Sequence, residues 1–159
     1  MALVPRAKQR LRGGQVCQVV GGQPAGGTSG SAPSGPPIPP PPGSSLGAQA
    51  VAIAQQYLGV PYVWGGASPS GFDCSGLVMY VYGQLGVSLP HNAAAQYASL
   101  PHVPLNDLQP GDLVFFYGFG HVGIYVGGGT MIHAPHTGAV VSYASISAEG
   151  PISGAARVP

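Results

Sequence analysis

The chain has 159 residues and a formal net charge of +1, with five histidines and two cysteines. Arg6, Lys8, Arg10 and Arg12 all precede residue 46, and after it only Arg157 is basic. So sparsely charged a region offers no clustered cations to neutralise phosphates, which excludes nucleic-acid binding by that part of the chain.

Residues 1–46 carry few large apolar side chains and read as a basic, Gly/Ser/Pro-rich leader and linker without ordered structure. Within it, the prolines of residues 36–42 favour a polyproline II rod, a stiff spacer. No apolar run follows the basic residues, so no signal peptide is visible there. Nowhere does the chain approach the ~20 consecutive apolar residues of a membrane span. The core must therefore come from residues 47–159, about 110 residues and enough for one domain. Two cysteines make no disulfide framework, and Cys17 and Cys74 are expected as free thiols.

In chain order, Ser44 or Ser45 can cap a first helix over 47–58, with Ala50, Ile53, Ala54 and Tyr57 on one face and Gly59 with Pro61 ending it. A short aromatic segment follows, and its Trp64 is expected in the core or a pocket wall. The stretch Gly71-Phe72-Asp73-Cys74-Ser75-Gly76 then sets a thiol at the start of a second helix over 74–85. Leu77, Val78, Val81 and Leu85 form its apolar stripe. Free N–H groups and the dipole at a helix start both favour thiolate, the nucleophilic form. Asp73 works against this, since a neighbouring anion raises a thiol pKa unless a cap engages its charge. Asn92 can cap a third short helix over 93–98, with His91 in the loop before it.

From Asp112 the pattern turns to β. Segments 113–117, 121–126, 130–134 and 140–143 read as strands separated by glycine turns, and 155–158 can add a fifth. Helices first and an antiparallel meander after them make an α+β domain.

A thiol nucleophile needs a base, and His121 and His133 stand at the two ends of one hairpin. If paired residues have even sums, such as 121 with 133 or 135, both rings lie on one face; odd sums separate them. One histidine can then serve Cys74 while the other orients it. Zinc held by Cys74, His121 and His133 is a second reading, although these ligands lack the close-spaced pair common in zinc sites.

Four segments carry a resemblance. Pro61-Tyr62-Val63-Trp64-Gly65-Gly66, Phe72-Asp73-Cys74-Ser75-Gly76-Leu77-Val78, Leu108-Gln109-Pro110-Gly111-Asp112-Leu113-Val114-Phe115-Phe116, and His121-Val122-Gly123-Ile124-Tyr125-Val126 with Ile132-His133-Ala134 together resemble the NlpC/P60 cell-wall peptidases. The resemblance covers about residues 47–158 and implies a papain-like α+β fold, its N-terminal helices packed on a C-terminal antiparallel sheet. It implies Cys74 as nucleophile, His121 as base and then acid, and His133 as the group that orients His121. Tyr62 matches a residue that helps hold the oxyanion, and Asp73 and Ser75 match positions lining the substrate groove. The expected activity is a cysteine endopeptidase cutting peptidoglycan stem peptides between D-γ-glutamyl and a diamino acid such as meso-diaminopimelate. Alternatives are an N-acetylmuramoyl-L-alanine amidase using the same triad and a non-catalytic wall-binding module. A monomer is expected, with peptidoglycan peptide as partner, no cofactor or metal, and a place outside the cell or in its envelope.

Overall fold

The computed structural model describes residues 45–159. The leader, its proline run and Cys17 lie outside the described residues.

The first helix, α1 (Leu46–Gln55), begins where the Ser45 hydroxyl accepts the Ala48 N–H at 3.1 Å. It buries Ala50, Ile53 and Ala54. It stops short of residue 58 because the next N–H groups turn back by three residues, Gln56 to Ile53 and Tyr57 to Ala54. That tightening is a common way to satisfy the last carbonyls of a helix. A two-stranded ribbon that the sequence pattern did not announce follows, β1 (Ala67–Ser68) and β2 (Gly71–Phe72).

The cysteine helix is α2 (Cys74–Gly83), with Leu77, Val78, Val81 and Tyr82 buried. Phe72 and the rings of Tyr57 and Tyr80 form a triangle with centroids 5.4–5.5 Å apart, locking the approach to α2 against the end of α1. Each such ring pair contributes about 0.5–1.5 kcal/mol beyond its buried area. Asn92 caps α3 (Ala93–Ser99) as expected, its side chain accepting the Ala95 N–H at 2.8 Å.

The remaining elements are β3 (Leu113–Phe116), β4 (His121–Gly127), β5 (Thr130–His133), β6 (Ser142–Ser145), a single turn of helix α4 (Ile146–Glu149), and β7 (Ile152–Ala156). The five strands form one antiparallel sheet in the order β6-β5-β4-β3-β7. Leu113, Phe115, Val122, Ile124 and Ile132 belong to the main core with α1 and α2, and α2 packs on β4. Val114, Phe116 and Met131 form a smaller cluster with Ile146 and Ile152. The result is the α+β arrangement expected.

Two strands fall at different residues from those expected. The fourth lies at 142–145 rather than 140–143 because Val140 and Val141 pair elsewhere, bridging Pro61 and exchanging backbone hydrogen bonds with Gly59 and Val60. The fifth lies at 152–156 rather than 155–158. Just past it the Arg157 guanidinium grips both oxygens of Asp112 at 2.8 Å, tying the end of β7 to the entrance of β3. No helix among the described residues is long and apolar enough to cross a membrane.

Candidate active site

Cys74 is the first residue of α2, and Asp73 is its N-cap. One carboxylate oxygen of Asp73 accepts the Gly76 N–H at 2.7 Å and meets His91 Nε2 at 2.8 Å. Its other oxygen accepts the Gly65 N–H at 3.1 Å. Asp73 is fully buried, so these groups replace water for it. The tension between its charge and the thiol is therefore met by a cap held on three sides.

Tyr62 lies beside this turn because its segment pairs with Phe72: Val63 N–H donates to Phe72 O at 3.0 Å and Phe72 N–H to Pro61 O at 3.2 Å. Its hydroxyl is buried and has no hydrogen-bond partner among the described residues. Burial, and after it the Asp73 charge, push the phenol above its ordinary range, so the group is a donor that keeps its proton. Ser75 is buried, and its carbonyl accepts the Gln96 amide at 3.0 Å. Gln96 also donates to Pro90 O at 2.8 Å, which ties α3 and the preceding loop to the first turn of α2.

The two histidines come together as an even register requires. Ile124 pairs with Ile132 and Tyr125 with Met131, which sets Gly123 opposite His133 and leaves His121 and His133 as diagonal neighbours on one face. A Cβ on Gly123 would lie 2.4 Å from the Met131 sulfur and 3.3 Å from the His133 Cβ, so a side chain there would crowd β5. His121 Nε2 lies 2.8 Å from His133 Nδ1, and both rings are buried. Burial, followed by the nearness of His133 and His136, holds His121 well below the ordinary histidine range near 6.5. Burial and His136 bring His133 down to about 4. Near neutral pH both rings are uncharged in the folded protein.

Glu149 completes the group, with Oε1 4.0 Å from His121 Nε2 and Oε2 3.9 Å from His133 Nδ1. Sequence reasoning missed it, along with Gln96, and placed His91 in its loop without the contact to Asp73. No local pattern marks any of them, because each acts across a tertiary contact. The zinc set of Cys74, His121 and His133 is replaced by His121, His133 and Glu149, whose possible donor atoms lie within 4.8 Å of one another. The 2.8 Å histidine contact is closer than the roughly 3.3 Å that metal–nitrogen bonds of about 2.0 Å impose on tetrahedral zinc. It has the length of a hydrogen bond.

Two expectations are corrected. Cys74 is disulfide-bonded and not a free thiol. The chain's other cysteine, Cys17, lies outside the described residues. Trp64 is 48% exposed, which corrects the core alternative of its expectation and does not bear on the pocket wall. The ribbon of β1 and β2 and the buried Asp73 hold the backbone on either side of it, leaving the indole at the surface.

Residues 59–155 match the model of the NlpC/P60 family. The chain is 46% identical over 108 residues to a probable endopeptidase of Mycobacterium tuberculosis, covering 67% of this chain and 28% of that protein. It is 52% identical over 103 residues to the probable endopeptidase p60 of Listeria seeligeri, covering 63% of this chain and 19% of that one. It thus spans less than a third of the length of these relatives. Among solved structures, the NlpC/p60 domain of the peptidoglycan hydrolase SagA superposes with a TM-score of 0.66 at 40% identity, covering 70% of this chain and 98% of that one. The peptidoglycan hydrolase RipB of Mycobacterium tuberculosis gives 0.59 at 33% identity, covering 70% and 66%. By its match to the family model and its identity to these relatives and structures, the chain belongs to the NlpC/P60 family.

Proposed function

We propose that the domain of residues 47–159 is a cysteine endopeptidase of peptidoglycan stem peptides, acting at the D-γ-glutamyl–diamino acid bond at the cell wall. The observation that carries this reading is the buried His121–His133 contact of 2.8 Å in a fold whose α2 begins with Cys74 and packs on β4. The relatives' names as endopeptidases and peptidoglycan hydrolases support the substrate class.

In the proposed mechanism His121 uses Nδ1 toward the thiol, since Nε2 faces His133. That nitrogen can take a proton only in the tautomer with hydrogen on Nε2, and His133 Nδ1 accepts this hydrogen. His121 is the first residue of β4, the strand on which α2 packs, and this supports pairing it with the thiol that opens α2. The thiol proton passes to His121, and the thiolate attacks the amide carbonyl. Backbone N–H groups at the start of α2 and the unpartnered Tyr62 hydroxyl hold the oxyanion. The amide C–N bond breaks as His121 returns its proton to the leaving amine, and water then hydrolyses the thioester. Asp73, which the resemblance set in the substrate groove, acts as a cap by its hydrogen bonds. Ser75 supports the same turn through its carbonyl.

This chemistry requires the thiol, so it belongs to the reduced protein. The test is digestion of a γ-D-Glu–diamino acid peptide by reduced wild type beside Cys74→Ala. Cleavage by wild type alone supports the reading. With purified peptidoglycan as a second substrate, release of intact stem peptide from muramic acid points to the amidase, and no turnover of either substrate by the reduced protein to a binding module.

A further inference from the structure

A Cys–His pair that works by proton transfer makes charge out of two neutral groups. Here the acceptor is fully buried, and the ring behind it, His133, is itself neutral. Burying an imidazolium is costly unless an opposite charge is at hand, and a neutral imidazole supplies only a dipole. We propose that Glu149 is that charge: a positioning residue acting through His121, it stabilises the imidazolium and so lowers the pH at which Cys74 becomes thiolate. This inference rests on the catalytic reading above.

The carboxylate spans both rings, one oxygen 4.0 Å from His121 Nε2 and the other 3.9 Å from His133 Nδ1. It lies on the far side of the imidazole from the nitrogen assigned to the thiol. Its attraction therefore acts first on the imidazolium, and its repulsion of the thiolate is weaker with distance.

The position is built by the chain. Glu149 ends α4, a single helical turn, and the Tyr117 hydroxyl donates to its carbonyl oxygen while lying 3.3 Å from Oε1. Tyr117 holds a left-handed backbone with φ of 54°, uncommon for a residue with a side chain. It is retained because its N–H donates to Pro151 O at 3.1 Å and the next N–H, of Gly118, to Ser153 Oγ at 2.7 Å. Gly150 leaves room for the ring, since a Cβ there would lie 2.6 Å from it. The turn that delivers His121 and the segment that delivers Glu149 are thus fastened to each other. Backbone strain kept at one point is often associated with a functional site.

The other titratable groups around His121 do not supply a negative charge in its place. His133 and His136 oppose a positive charge on it, and the Tyr117 hydroxyl is engaged as a donor to the Glu149 carbonyl. Asp73 is engaged by Gly65, Gly76 and His91. Cys74 is the proton donor itself.

The experiment is a pH titration of Cys74 thiolate by ultraviolet absorbance, in the full chain carrying Cys17→Ala so that one thiol is observed. Glu149→Gln is expected to raise the midpoint by about one unit, a roughly tenfold loss of thiolate at a fixed pH below it. Glu149→Asp should recover part of the shift, and Tyr117→Phe should give a smaller one in the same direction. An unchanged midpoint in Glu149→Gln, alongside a midpoint moved by His121→Ala, overturns the role of Glu149 and leaves the catalytic reading standing. A midpoint unmoved by His121→Ala overturns both.

Discussion

Replacing Asp73 separates its work as a cap from its charge. In Asp73→Ala the helix loses its N-cap, a change of about 1 kcal/mol. The Gly65 N–H and His91 lose their partner in a fully buried setting. A buried donor left unpaired costs about 1–3 kcal/mol, less where a ring can turn toward water, as half-buried His91 can. The sum is about 3 kcal/mol, or a fall of roughly 10 °C in Tm for a domain of this size. Asp73→Asn keeps the oxygen that caps Gly76, since asparagine caps as well as aspartate, but turns an amide toward either Gly65 or His91. It should cost about half as much. Urea unfolding of both variants in reductant, compared at equal m-value, measures this. Losses below about 1 kcal/mol in Asp73→Ala would contradict the reasoning, because they would mean that the three contacts do not anchor the turn.

Three further outcomes follow from the site. Tyr62→Phe removes a hydroxyl that no described protein group engages, so stability should hold within about 0.5 kcal/mol. Peptide turnover should nonetheless fall by about 10²-fold if the hydroxyl meets the oxyanion, and equal turnover would remove it from the mechanism. The buried histidines make the fold acid-sensitive: the unfolded chain binds protons below about pH 6.5, whereas folded His133 does so only near 4. Stability is thus full above pH 6.5 and falls as pH drops toward 4, by about 3 kcal/mol from His133. Urea midpoints across that window should be flatter in His133→Asn, and an equally steep dependence would assign the sensitivity elsewhere. Glu149→Gln should raise the thiolate midpoint of Cys74, as set out above.

Much of this site is legible in the sequence because it is built from local signals. Asp73 and Asn92 are recognisable caps, so the first residue of α2 follows directly. The glycines at 127–129 allow the even register that brings His121 and His133 to one face. What escapes local reading is decided by distant partners. Val140 and Val141 are good strand residues, but the Val60–Pro61 backbone takes them, and β6 starts two residues later. Glu149 sits on one turn of helix too short to show a period, and the left-handed Tyr117 ties it to the turn before His121. The disulfide at Cys74 likewise leaves no mark in the spacing of two cysteines, which forms no framework pattern.

The most direct measurement is digestion of purified peptidoglycan by the full chain, wild type beside Cys74→Ala, with and without reductant, followed by mass spectrometry of the muropeptides. The account predicts fragments cut after D-γ-glutamyl only for reduced wild type, with little product while Cys74 stays in its disulfide. The same fragments from reduced Cys74→Ala would contradict the assignment of Cys74 as the nucleophile.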